Sequence, residues 1–201
     1  MLKQKTFDLL QHITQAGVTR AAEGFSNMVG EHITTTHPNI RLIPLKDIPD
    51  QLGGAENEAV GIYIRVDQGL PGHMMLIMPY QKALKLADLL MGEPEGTTQT
   101  LGTIERSALG EIGNLTCSFF LNAASDVTGL HVYPSPPAVL VDMVGAILDV
   151  VIALSESKGD HGLLLQTTFL RHEAEIQADF WIIPDQEVLT SLALQSGIHY
   201  G

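Results

Sequence analysis

Glu111 and Asn114, with Ser107 and Ser118 on either side, are the residues whose types and spacing can do chemistry. They recur in steps of four, three and four, so on a helix they share one stripe. A carboxylate beside a carboxamide can meet a cation while holding a water, because an amide both accepts and donates hydrogen bonds. Gly113, between them, costs a helix about 1 kcal/mol relative to Ala. It has a reason to be there if something must approach the backbone closely. A polar stripe is also what any solvated face of an amphipathic helix presents. The pattern alone leaves both readings open.

Other chemistries lack their residues. There is no phosphate-cradling GxxxxGK[ST], no GxGxxG after a strand, no HExxH and no GxSxG. The eight histidines form neither HxH nor HxxxH, and His172-Glu173 suggests no metal role. A metal site in the chain is therefore not expected. Cys117 is the lone cysteine, which excludes a disulfide framework. It points off the polar stripe and reads as a buried or half-buried thiol.

The elements that must position the stripe come in two matching sets. Residues 7–30 and 104–129 are both apolar on a helical period, and a shift of 99 positions superimposes their polar stripes. Asp8, His12, Gln15, Thr19, Glu23 and Ser26 fall on Ser107, Glu111, Asn114, Ser118, Asn122 and Ser125. Gly30 and Gly129 share the register, each where a helix end favours a left-handed residue. Leu109, Ile112, Phe119, Phe120 and Ala123 form an apolar face suited to packing on a sheet.

Asn39–Leu45, Ala59–Asp67 and His73–Met78 read as strands, the last buried for want of alternation. His131–Asp142, Ala146–Glu156 and Leu163–Ile183, the last with a break, read as strands of the second half. Proline-started helices follow at Pro79 and Pro184, 105 residues apart. Asp50–Glu58 and Glu156–Gly162 look like exposed hairpin connections, with solvated acids at Glu56, Glu58, Glu156 and Asp160. Met74, Met75, Met78 and Trp181 read as core. The expectation is an α/β (α+β) fold: one domain over 1–201, with a pseudo-twofold repeat of helix–strands–helix halves, about 1–92 and 103–201. Gly92–Gly102 joins them, and the two long helices pack on one face of the sheet.

The 201 residues carry a net charge of −12 with 45% apolar residues. That acidity lacks the electrostatic term that drives nucleic-acid binding. No signal segment is visible, and the most apolar stretch, Ala138–Leu154, contains Asp142 and Asp149, so no membrane span is expected. The chain reads as soluble and cytoplasmic.

SALGEIGNLTCSFFLNAASDVTG resembles the helix signature of the CheC/CheX/FliY family of chemotaxis phosphatases, closest to CheC. In that family an acidic or serine residue is followed by glutamate four positions on and asparagine three further, here Ser107, Glu111 and Asn114. GVTRAAEGFSNMVGEHI resembles the first-helix counterpart. The resemblance implies hydrolysis of the aspartyl phosphate of a CheY-like response regulator. Asn114 would orient an in-line water, and Glu111 would pair with the receiver's lysine, with Ser107 and Ser118 flanking. No cofactor held by this chain is implied, and Mg²⁺ would come with the receiver-domain substrate. Where many CheC members carry a first site, this chain has Asp8, His12 and Gln15, a degenerate set: His12 cannot offer a carboxylate to a lysine. One working site, in the second half, is expected. The alternative is a non-catalytic adaptor that binds phosphorylated CheY or the CheD deamidase. A flagellar-switch component like FliY is a third reading, against which stands the expectation that no switch domain follows the final helix.

Overall fold

The computed structural model describes residues 4–69, 71–154, 161–171 and 174–184. Two long helices of 26 residues each, α1 (Gln4–Val29) and α4 (Thr103–Thr128), form over the two periodic segments. Gly30 and Gly129 follow them with φ of 70° and 72°, and the Gly129 N–H reaches the Ser125 carbonyl at 2.7 Å. Glycine takes that left-handed conformation without the steric cost of a Cβ. Three shorter helices are α2 (Ile48–Gln51), α3 (Tyr80–Met91) and α5 (Val144–Leu154).

The strands are β1 (Thr34–Thr35), β2 (Asn39–Pro44), β3 (Glu58–Gln68), β4 (Gly72–Pro79), β5 (Tyr133–Pro134), β6 (Ala138–Met143), β7 (His161–Arg171) and β8 (Ala174–Pro184). They form one antiparallel sheet in the order β1-β7-β8-β4-β3-β5. Hairpins β3–β4 and β7–β8 meet along β4 and β8, with Met75 opposite Trp181. β2 joins β7, with Ile40 opposite Leu165, and β6 joins β3, with Val139 opposite Ile62. Each half's leading strands therefore pair with the other half's hairpin. The 99-residue spacing carries the bounds of β1 onto β5 and of β2 onto β6.

Both faces of the sheet are covered. On one, Ile62, Ile64, Met74 and Leu76 pack against Leu10 and Phe25 of α1, Leu86 of α3, and Leu109 and Ile112 of α4. On the other, Met75, Ile77, Leu164 and Trp181 pack against Ile48 of α2 and Val144, Ile147 and Val151 of α5. This double cover buries β4 from Gly72 to Met78 and removes the usual alternation. Met74, Met75, Met78 and Trp181 are core, as expected. Among the described residues no helix is long and apolar enough to cross a membrane.

Several expectations are corrected. Ala146–Glu156 is not a strand: Val144–Leu154 is helical, and residues 155–160 lie outside the described set. Val144, Ile147, Leu148 and Val151 are buried at steps of three, one and three, a helical period that the Val/Ile content obscured. His131–Asp142 is broken into β5 and β6 by Ser135-Pro136-Pro137, where prolines cannot donate to a ladder. Asp50–Glu58 is no hairpin connection, because β2 pairs with β7 rather than β3. Glu56 and Glu58 are exposed as expected. Pro184 is the last residue of β8, and the rest of the helix expected from it, like His172-Glu173, lies outside the described residues.

The connector between α3 and α4 is held by Asp88. Its buried carboxylate accepts the backbone N–H groups of Gly96 and Thr98, each at 2.7 Å. Tyr80 Oη accepts the Leu101 N–H at 3.2 Å, and Arg106 Nε donates to the Leu101 carbonyl at 3.0 Å. The Thr98 side chain, then the backbone N–H groups of Thr98, Gly96 and Thr97, hold the Asp88 carboxyl below its ordinary value, against the effect of burial. A depressed carboxyl contributes stability that is present above the unfolded-state value of 3.8 and lost as pH falls through the lower folded-state value. Asp88→Asn should therefore melt below the wild type at pH 7, with the gap closing under strong acid, in thermal melts across that range.

Candidate functional site

Helix α4 is locked on two sides before its outer face is reached. Toward the sheet it buries Leu109, Ile112, Gly113, Thr116 and Cys117. A Cβ on Gly113 would collide with Ile62 of β3, so the close approach this glycine allows is to the sheet. Buried Thr116 donates its hydroxyl to the Ile112 carbonyl at 2.7 Å, which leaves that donor satisfied within the helix. Toward α1, Phe120 sits against Gly17, where a Cβ would lie 2.9 Å from the Phe120 Cα, and Phe119 and Leu115 sit against Gly24. Phe119 and Phe120 thus seat the helices on each other, whereas the sequence pattern suggested the sheet. An Arg20–Asp126 ion pair of 2.8 Å crosses the two helices at the surface.

With these contacts made, Ser107, Glu111, Asn114 and Ser118 turn outward. Ser107 and Glu111 are exposed, while Asn114 and Ser118 are half-buried. No hydrogen bond or ion pair engages the Glu111 or Asn114 side chain among the described residues. The half-burial of Asn114 narrows the space its amide can sweep, while Glu111 remains open to a cation. The pair can hold a water at the helix surface and receive a positively charged group one turn away.

The corresponding face of α1 is built differently. Asp8 and His12 are exposed. Gln15 is half-buried, its Nε2 donates to Thr19 Oγ1 at 3.4 Å, and its Oε1 is buried with no hydrogen-bond partner among the described residues. The longer side chain is thus drawn onto its own helix, and its acceptor oxygen is turned away from solvent. Asp8, His12 and Gln15 share a face, as their spacing requires, but the amide and carboxylate functions of the α4 pair are not reproduced there.

One residue on the α4 face escaped the polar register. Ile104 stands three positions before Ser107 and is 71% exposed. Its place in the helical spacing was the available signal. Cys117 is fully buried, and desolvation pushes its thiol up to about 12, so it takes no part in the site.

The CheC-like family model matches residues 104–141, the segment that contains this face. The chain is 28% identical over 200 residues to the CheY-P phosphatase CheC of Bacillus subtilis, covering 98% of this chain and 96% of that one. Its fold is similar to that of Thermotoga maritima FliY, with a TM-score of 0.79, 20% identity and 98% of each chain covered. It is also similar to a chain of the CheX-CheY-BeF3-Mg²⁺ complex from Borrelia burgdorferi, with a TM-score of 0.52, 17% identity, and 85% and 96% coverage. The resemblance carried by the 107–129 segment is borne out.

Two outcomes follow from the packing of α4. Gly113→Ala should lower stability in urea titration despite the better helix propensity of Ala, because overpacking costs about 1–3 kcal/mol against a gain of about 1 kcal/mol. Cys117 should resist alkylation in the native protein at pH 8 and react fully once unfolded, as read by intact mass.

Proposed function

We propose that this chain is a phosphatase for the aspartyl phosphate of a CheY-like response regulator, working from a single face on α4. The observation that carries the reading is that Glu111 and Asn114 stand outward, unengaged among the described residues, on a helix whose other sides are locked. It is supported by the name of the Bacillus subtilis relative, a CheY-P phosphatase, and by the CheX of similar fold found in a complex with CheY, BeF3 and Mg²⁺.

An acyl phosphate has a good leaving group already, so the reaction needs a water in line with the scissile P–O bond more than it needs a nucleophile. Asn114 supplies that position: its Oδ1 accepts a hydrogen bond from the water, and its Nδ2 donates to a phosphoryl oxygen. Glu111 pairs with the receiver's lysine and sets the helix over the phosphoryl group. Ser107 and Ser118 flank the contact. Attack gives the receiver's free aspartate and inorganic phosphate. The chain holds no cofactor in this reading, and Mg²⁺ arrives on the receiver. The work is done in the cytoplasm, where the receiver is.

The α1 face takes no part. His12 in the place of Glu111 cannot pair with a lysine, and Gln15 hides the oxygen that would hold the water. Asp8 alone does not rebuild the pair.

With phosphorylated receiver and Mg²⁺, the wild type should speed loss of the phosphoryl group, read by release of inorganic phosphate. Asn114→Ala should lose roughly 100-fold of that acceleration, the scale of a mispositioned reactant, while still binding the receiver. Glu111→Lys should lose binding. A His12→Ala/Gln15→Ala double variant should match the wild type. Binding without acceleration would instead make the chain an adaptor, for the phosphorylated receiver or for CheD.

A further inference from the structure

Ile104 is the most exposed of the large apolar side chains among the described residues, at 71%, with Tyr133 next at 59%. A single exposed apolar residue is ordinary on a protein surface, so its place is what matters. It stands three residues before Ser107 and seven before Glu111, on the stripe that ends in Asn114 and Ser118. Core packing does not account for it, because Leu109 and Ile112 take the sheet side of the helix. Nor does helix propensity, since a β-branched side chain in an exposed turn is a poorer helix former than Ala, Glu or Lys.

In sequence, the 99-residue spacing aligns Lys5 with Ile104. The two stripes then read Lys5, His12, Gln15 on α1 and Ile104, Glu111, Asn114 on α4. A receiver surface that carries a lysine meets the exposed imidazole of His12 on the first, and an apolar side chain followed by a carboxylate on the second. Exposed Val150 and Ile152 belong to α5, on the opposite face of the sheet, and Tyr133 and Met143 belong to β5 and β6.

We infer that Ile104 is a docking residue of the α4 face: it seats against an apolar side chain on the rim of the receiver's phosphorylation pocket and selects α4 over α1. The inference rests on the phosphatase reading for its occupant, a phosphorylated receiver domain. Ile104 touches the substrate protein without touching the reacting atoms, so its effect falls on KM rather than kcat.

The test is a kinetic series against the concentration of phosphorylated receiver, with wild type, Ile104→Lys, Ile104→Leu and Val150→Lys. Ile104→Lys should raise KM roughly tenfold, the scale of one buried aliphatic side chain, with kcat unchanged. Ile104→Leu should restore the wild-type KM, and Val150→Lys should leave it unmoved. Thermal melts of all four should agree, because both positions are exposed. An unchanged KM in Ile104→Lys, or an equal rise in Val150→Lys, overturns the inference and leaves the phosphatase reading standing. If the wild type fails to accelerate dephosphorylation, that reading falls, and direct titration of phosphorylated receiver decides the docking role. A tenfold weaker Kd for Ile104→Lys supports it, and equal Kd values overturn it.

Discussion

At Gly113 the backbone of α4 lies against the side chain of Ile62, in a space that no Cβ could share. That contact governs the rotation of the helix about its own axis. With Gly113 turned inward, the positions within two turns of it on the helix have no freedom left. Ile112 and Cys117 go into the core, Phe120 goes onto Gly17 of α1, and Glu111 and Asn114 face out. A shift of one residue in that seating would carry the candidate pair around the helix by about 100°. The sheet supports the glycine contact in turn. Ile62 sits on β3, paired on one side with β4 and on the other with β6, so the surface that α4 rests on is itself held from both edges.

The two halves show how similar scaffolding can serve different surfaces. Helices α1 and α4 have equal length, similar C-terminal glycines and complementary roles in one packed pair. Their outer faces diverge where the scaffold makes no demand. On α4 the carboxamide is short and has no hydrogen-bond partner among the described residues. On α1 it is one methylene longer, bonds back to Thr19 and hides its oxygen. Packing maintains α1 whether or not its outer face acts, because Gly17 and Gly24 are needed to receive Phe120 and Phe119.

What could be read from residues alone followed the range of the interactions involved. Local periodicity was enough for the two long helices, their glycine ends, β3, β4 and the outward stripe, because each depends on neighbours a few positions away. Helix α5 reads as a strand from sequence because its Val and Ile residues favour strands by type, while the period of Val144, Ile147, Leu148 and Val151 takes its meaning from the opposite sheet face. The partner of β2 could not be read, since Ile40 meets Leu165 across 125 positions of chain. Ile104 carries no mark in a stripe defined by polar residue types, because it is the one apolar side chain in that register. The role of Gly113 was half legible: close approach was implied, but Ile62 as the approaching group was not.

The exchange of leading strands between the halves bears on how the molecule is made. Strand β2 leaves the ribosome before its partner β7, which is more than a hundred residues behind it. At ordinary elongation rates of about 5–20 residues per second, the wait is roughly ten seconds. During that interval the apolar residues Ile40 and Ile43 have no ladder to join, and β4 lacks β8, while β3 already gains β5 and β6. The β7–β8 hairpin fills the gap between β2 and β4, so the sheet is continuous only once that hairpin has arrived. The same sewing that keeps the halves from parting afterward makes the first half wait for the second.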